Sequence, residues 1–130
     1  MSIEKRSIYK CELCGKVVEI LEAGGNPETI CCGQPLTLLV AGVTDASKEK
    51  HVPVVERSAT SLTIKVGSVA HPMTPEHHIV LIEVLTAEKV CRREFGASDT
   101  VAEATFPIPA EVKVTVREYC NLHGLWQVEA

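Results

Sequence analysis

The 130-residue chain is predicted to be all-β: a small cysteine-stapled module followed by an antiparallel β-sandwich of about seven short strands. Three observations predict this. Four of the six cysteines fall within residues 11–32, a stretch with few large apolar side chains. After it, apolar residues recur in short runs of period two, separated by turn residues. No segment carries an amphipathic helical pattern of three turns.

Residues 1–37 form the expected first module. Too few apolar residues are present there to build a core, so the segment needs a staple. Cys11-Glu-Leu-Cys14-Gly15 is a chelating turn. Its two intervening residues let both thiolates reach one cation, and the following glycine tolerates positive φ. Gly24-Gly25-Asn26-Pro27 is a turn signal, and Cys31-Cys32-Gly33 supplies the second pair. Neighbouring side chains normally point apart, so placing Cys31 and Cys32 on one ion demands a distorted backbone. The competing readings are buried thiols for Cys11 and Cys14 and a strained vicinal disulfide for Cys31 and Cys32. Four cysteines within 22 residues, each pair followed by glycine and no core nearby, favour metal. From spacing alone zinc is the default and iron the minority choice.

The composition shifts near Pro35 to Leu38, and residues 38–130 form the expected second domain. Leu62, Ile64 and Val66 alternate with polar neighbours, as do Val112, Val114 and Val116. Period two predicts strands. Further strands are predicted at Val52 to Glu56, Ile79 to Thr86, Lys89 to Phe95, Val101 to Phe106 and Gly124 to Val128.

Composition narrows the function. The chain is 45% hydrophobic and 23% charged with a formal charge of -4, so it lacks the basic footprint of a nucleic-acid binder. The N-terminal stretch has no apolar signal core, and Glu4 argues against a transit peptide. The longest apolar runs, Leu36 to Val43 and Ile79 to Leu85, are far short of a membrane span. A cytoplasmic protein is expected, and in a reducing compartment its cysteines point to metal binding or redox chemistry rather than structural disulfides.

All five histidines, His51, His71, His77, His78 and His123, lie in the second domain. Taken singly, each reads as a surface or satisfied histidine. Together they sit in Glu49-Lys50-His51, His71-Pro-Met-Thr-Pro-Glu-His77-His78 and Cys120-Asn-Leu-His123-Gly124. The CxxH turn of Cys120 and His123 presents sulfur and imidazole to one ion, and Pro72 and Pro75 stiffen the stretch bearing His71 and His77. Several imidazoles with one thiolate suit a redox-active transition metal such as iron better than a closed zinc cage.

These motifs, in this order and over nearly the whole length, resemble the desulfoferrodoxins, the two-iron form of superoxide reductase. The resemblance implies a desulforedoxin/rubredoxin-like module holding iron on Cys11, Cys14, Cys31 and Cys32. It further implies an immunoglobulin-like β-sandwich holding a catalytic iron on His51, His71, His77, His123 and Cys120, with the sixth position left for superoxide. Two irons per chain follow. His78 falls where relatives have an aromatic residue and reads as a neighbour of the site, the exchange of His77 and His78 being the alternative. Cys91 matches no ligand and reads as a small apolar strand residue.

The implied activity is one-electron reduction of superoxide to hydrogen peroxide. Lys50, otherwise an ordinary solvated lysine, would attract the anion, and Glu49, otherwise a surface carboxylate, would take the sixth position of the oxidised iron. The four-cysteine iron would store or relay electrons, a rubredoxin-like protein would donate them, and relatives form homodimers. A non-catalytic alternative is a metal-storage or metal-sensing protein with a structural zinc module. An enzymatic alternative is superoxide dismutase.

Overall fold

A computed structural model describes residues 4–25, 28–44 and 51–130. Glu49 and Lys50 lie outside the described residues, as do Asn26 and Pro27 of the expected turn. The chain divides into two units, Met1–Val40 and Ala41–Ala130.

The first unit is built of five very short strands: β1 (Ile8–Lys10), β2 (Val17–Glu19), β3 (Ile30–Cys31), β4 (Gln34–Pro35) and β5 (Thr37–Leu38). They make a three-stranded antiparallel sheet of order β2-β1-β5 and a separate β3-β4 hairpin. Among its described residues only Ile8 and Cys11 are buried. Two buried side chains contribute only about 3–6 kcal/mol of apolar transfer free energy, well below the entropic cost of ordering such a segment. The staple expected from the sequence is therefore a physical requirement of this unit.

The second unit contains β6 (Pro53–Arg57), β7 (Leu62–Val66), β8 (Ile79–Leu85), β9 (Val90–Glu94), β10 (Glu103–Phe106), β11 (Thr115–Cys120) and β12 (Gly124–Glu129). All pair antiparallel, in sheets of order β10-β7-β6 and β12-β11-β8-β9. Period two works as expected in β7: Leu62, Ile64 and Val66 are buried. The intervening Thr63 and Lys65 face polar partners, Thr105 through a 2.9 Å hydroxyl contact and Glu56 at 3.3 Å. Ile79, Ile82, Val84, Val116 and Cys120 of the other sheet join Leu62, Ile64 and Val66 in one core. Cys120, at the end of β11, is thus anchored in a packed apolar layer.

Two predicted strands start two or more residues later in the fold. The Val112 segment opens with a turn, its N–H donating to Pro109 O at 3.1 Å, so β11 begins at Thr115. Val101 is exposed and β10 begins at Glu103. At the far end, β8 and β11 pair in register from Leu85/Thr115 to Leu81/Tyr119, then shift so that Cys120 meets Ile79. This bulge at Val80 re-aims the strand ends at the rim where the histidines gather.

Among the described residues no helix is long and apolar enough to cross a membrane.

Candidate functional site

The first unit holds a four-sulfur cluster. A tight turn brings Cys11 and Cys14 together: Gly15 N–H donates to Cys11 O at 2.9 Å and Cys11 N–H to Lys16 O at 2.8 Å. Gly15 takes φ 82° there, a conformation in which a Cβ is disfavoured. The adjacent pair is accommodated by an unusual backbone: Cys32 has φ 53° and Gly33 φ 80°. Left-handed geometry at a non-glycine residue is strained, and it turns both neighbouring sulfurs toward the same point. All six cysteines are free thiols, which removes the vicinal-disulfide reading.

The sulfurs of Cys11, Cys14, Cys31 and Cys32 lie within 4.8 Å of one another. A tetrahedral ion with metal–sulfur bonds of about 2.3 Å sets its sulfurs about 3.8 Å apart. Cys14 and Cys31 stand at 3.7 Å, Cys31 and Cys32 at 3.9 Å. The set fits one ion. The Cys11 thiol is lowered to about 6, chiefly by the Cys14 backbone N–H directed at its sulfur. Cys31 is pushed up to about 12, chiefly by its contacts with Cys11 and Cys14. A cluster of thiols that cannot all lose protons alone is one that a cation completes.

The second unit gathers the histidines. His71, His77 and His123 and the core-anchored Cys120 come from the 71–78 loop and from the turn between β11 and β12, and His51 from the residues before β6. The four imidazoles form a closed square. Ring centroids are 4.8 Å apart for His51 and His71, 4.7 Å for His71 and His77, 4.9 Å for His77 and His123, and 4.8 Å for His123 and His51. Each ring stands edge-on to its neighbours, at interplanar angles of 66–81°. His51 lies across the square from His77, and His71 across from His123.

Cys120 Sγ approaches two corners, 3.6 Å from His71 Nε2 and 3.9 Å from His123 Nδ1. His123 Nδ1 is also 3.2 Å from His51 Nε2. Donor atoms of His51, His71, His77 and Cys120 all lie within 4.8 Å of one another, a span that one ion with bonds of about 2.0–2.3 Å bridges. At His71 the carbonyl of Pro72, 2.8 Å from Nδ1, can only accept. The proton therefore sits on Nδ1, leaving the Nε2 lone pair aimed at the cluster.

The site is graded in exposure. Cys120 and His51 are almost wholly buried, His77 is half-buried and His123 is exposed. The core thus closes over Cys120 and the His51 and His71 corners, and the His123 corner faces solvent. His78 stands outside the square, its Nδ1–H donating to Thr74 O at 2.9 Å. Cys91 packs against the core on β9 and belongs to neither cluster. Three neighbours were not singled out from the sequence. Trp126 stacks on His51, Gly42 underlies Trp126, and Asn121 ties the two histidine-bearing segments together. For Asn121 the signal lay in the CxxH turn itself; for Gly42 and Trp126 only their proximity in space reveals the link.

An all-β chain with a four-thiol cluster in one unit and a square of imidazoles with one thiol in the other defines a protein with two candidate metal centres of different chemistry. Comparison with known proteins then gives the family. Residues 43–129 match the family model described as Desulfoferrodoxin, and residues 3–39 the model of the desulfoferrodoxin N-terminal domain. The chain is 50% identical to a desulfoferrodoxin of Syntrophotalea carbinolica, over 97% of this chain and 98% of that one. It is also 50% identical to a desulfoferrodoxin of Nitratidesulfovibrio vulgaris, over 95% of each. Its structure is similar to that of the superoxide reductase from Treponema pallidum, with TM-score 0.75, 32% identity and coverage of 94% and 96% of the two chains. The chain belongs to the desulfoferrodoxin family of superoxide reductases.

Proposed function

We propose that the protein reduces superoxide to hydrogen peroxide, taking up one electron and two protons per superoxide and releasing no oxygen. The closed square of His51, His71, His77 and His123 with Cys120 beside it is the observation that carries this reading. These five residues would hold iron, which when bound would supply one-electron chemistry toward superoxide. The buried Cys120 thiolate supplies electron density to the centre, and the neutral imidazoles keep the ligand set near one negative charge. The exposed His123 corner is where the small anion has access to the centre.

In the same reading, and as the family resemblance implies, Lys50 would attract the anion against an overall charge of -4 and the Glu49 carboxylate would serve the oxidised site. Cys11, Cys14, Cys31 and Cys32 hold a second iron that stores or relays electrons from a rubredoxin-like donor. Residues 1–37 and 38–130 act as the relay and catalytic domains. A homodimer, as in relatives, belongs to the same reading.

The test is anaerobic reduction followed by rapid mixing with superoxide while the iron–thiolate absorption is followed. One peroxide per superoxide, with return of the ferric band and no oxygen evolved, is expected. Half a peroxide per superoxide with oxygen evolution would indicate a dismutase. A silent spectrum, or zinc in place of iron, would sink the proposal.

A further inference from the structure

The ladder between β8 and β11 ends at Ile79 and Cys120, yet His77 must be held two residues beyond it. The Thr74 to His77 turn is closed within itself. Thr74 N–H donates to His77 O at 2.9 Å, and His77 N–H reaches Thr74 O at 3.2 Å and Thr74 Oγ1 at 3.1 Å. Those bonds shape the turn without fixing its place on the sheet.

Asn121 does so from the other strand. Its Oδ1 accepts from His78 N–H at 2.8 Å, its Nδ2–H donates to Glu76 O at 3.0 Å, and its own N–H donates to His78 O at 3.1 Å. The two side-chain bonds grip the backbone on either side of His77. The orientation of the amide is fixed by its partners, since a backbone N–H can only donate and a carbonyl can only accept. Asn121 itself lies between Cys120 and His123 in the turn that carries both. One side chain thus sets the spacing between the His77 corner and the Cys120–His123 pair.

We infer that Asn121 is a positioning residue for the histidine–cysteine centre, acting through the backbone that carries His77. It touches none of the donor atoms, and its effect is to hold His77 at the 4.9 Å ring spacing from His123. This rests on the proposed metal centre. Outer partners that orient ligands typically govern metal affinity by about 10- to 100-fold.

Full-length wild-type, Asn121→Ala, His77→Ala and doubly substituted proteins, all iron-loaded, would be challenged with a chelator. The visible thiolate band of the centre reports release, and its loss in Cys120→Ser identifies it. Asn121→Ala is expected to lose iron from this centre about 10- to 100-fold more readily and to shift the band and the reduction potential. The double variant is expected to fall no further than His77→Ala alone, because Asn121 acts through His77. Equal retention and an unmoved band in Asn121→Ala, or losses that add in the double variant, would overturn the inference. Should Asn121→Ala not fold, Asn121→Asp keeps the size and the acceptor for His78 N–H while losing the donor to Glu76, and is read the same way. Wild-type protein that holds no metal at this centre would instead overturn the proposed function.

Discussion

The ring of Trp126 lies stacked on that of His51, with centroids 5.0 Å apart and planes 16° from parallel. Trp126 also meets the backbone at Gly42, where an added Cβ would stand 2.7 Å from two of its ring carbons. Gly42 also bonds the strand directly, its N–H donating to Leu125 O and its carbonyl accepting from Gln127 N–H, both at 2.9 Å. His51 is therefore seated against a ring that is itself held by a residue with no side chain.

Gly42→Ala should displace the indole and so disturb its stacking on His51. Overpacking of this kind costs about 1–3 kcal/mol, read as a lower denaturant midpoint, with a shift of the thiolate absorption of the histidine centre. In a Trp126→Leu background the same substitution should cost much less. Equal costs in both backgrounds would show that the ring contact does not matter.

Glu83 is fully buried on the face of β8 opposite the core, between Arg117 and Arg92. The three are cross-strand neighbours in register, Arg117 opposite Glu83 on β11 and Arg92 opposite it on β9. Removing the central carboxylate leaves the buried Arg117 guanidinium without its countercharge. Glu83→Ala is expected to destabilise the second unit by about 3–5 kcal/mol in chemical denaturation, and Glu83→Gln by less. A loss under about 1 kcal/mol for Ala would mean the triad behaves as an ordinary surface network.

Asp99 accepts from Gly96 N–H at 2.7 Å and from the Arg93 guanidinium at 2.9 Å. The Gly96 bond first and Arg93 second hold its carboxyl below the ordinary 3.8. A carboxyl lowered in the folded state contributes stability that is fully present above its unfolded value and is lost as pH falls through the folded one. The difference in unfolding midpoint between wild type and Asp99→Asn should be constant above about pH 5 and shrink below about pH 4. A constant difference down to the acid limit would contradict the lowered value.

Chelation should separate the two units. With Ile8 and Cys11 as the buried side chains of the first unit, metal binding there is folding energy, on the order of 10 kcal/mol for comparable stapled modules. Stripping metal should open residues 4–40 to limited proteolysis while the amides of β8 and β11 stay protected from exchange. Protection of both units after chelation would show that the first folds without its staple.

Much of this was legible because it is periodic or local. The alternation of Leu62, Ile64 and Val66 survives into the fold with strand bounds unchanged, and the CxxC and CxxH spacings need only a turn to bring their donors together. Less legible were relationships that depend on the sheet. Gly42 and Trp126 are far apart in the chain and meet only through a parallel bridge. Glu83 sits in a strand read as an apolar run, and its burial depends on arginines of two neighbouring strands. Cys31 and Cys32 announced a distorted backbone, and the left-handed φ of Cys32 shows how it is achieved. Asn121 was visible as part of a turn, but its grip on the His77 segment crosses 43 positions of chain.

The depth of Cys120 carries one more consequence. The proposed product is itself an oxidant, and thiolates are its usual victims, passing to sulfenic acid and then irreversibly beyond. Cys120 Sγ belongs to a residue with 0% exposure, whereas the imidazole corner at His123 faces solvent. Burial thus shields the one sulfur of this centre from an oxidant released into solvent, a protection that the exposed thiols Cys14 and Cys32 of the first unit do not share.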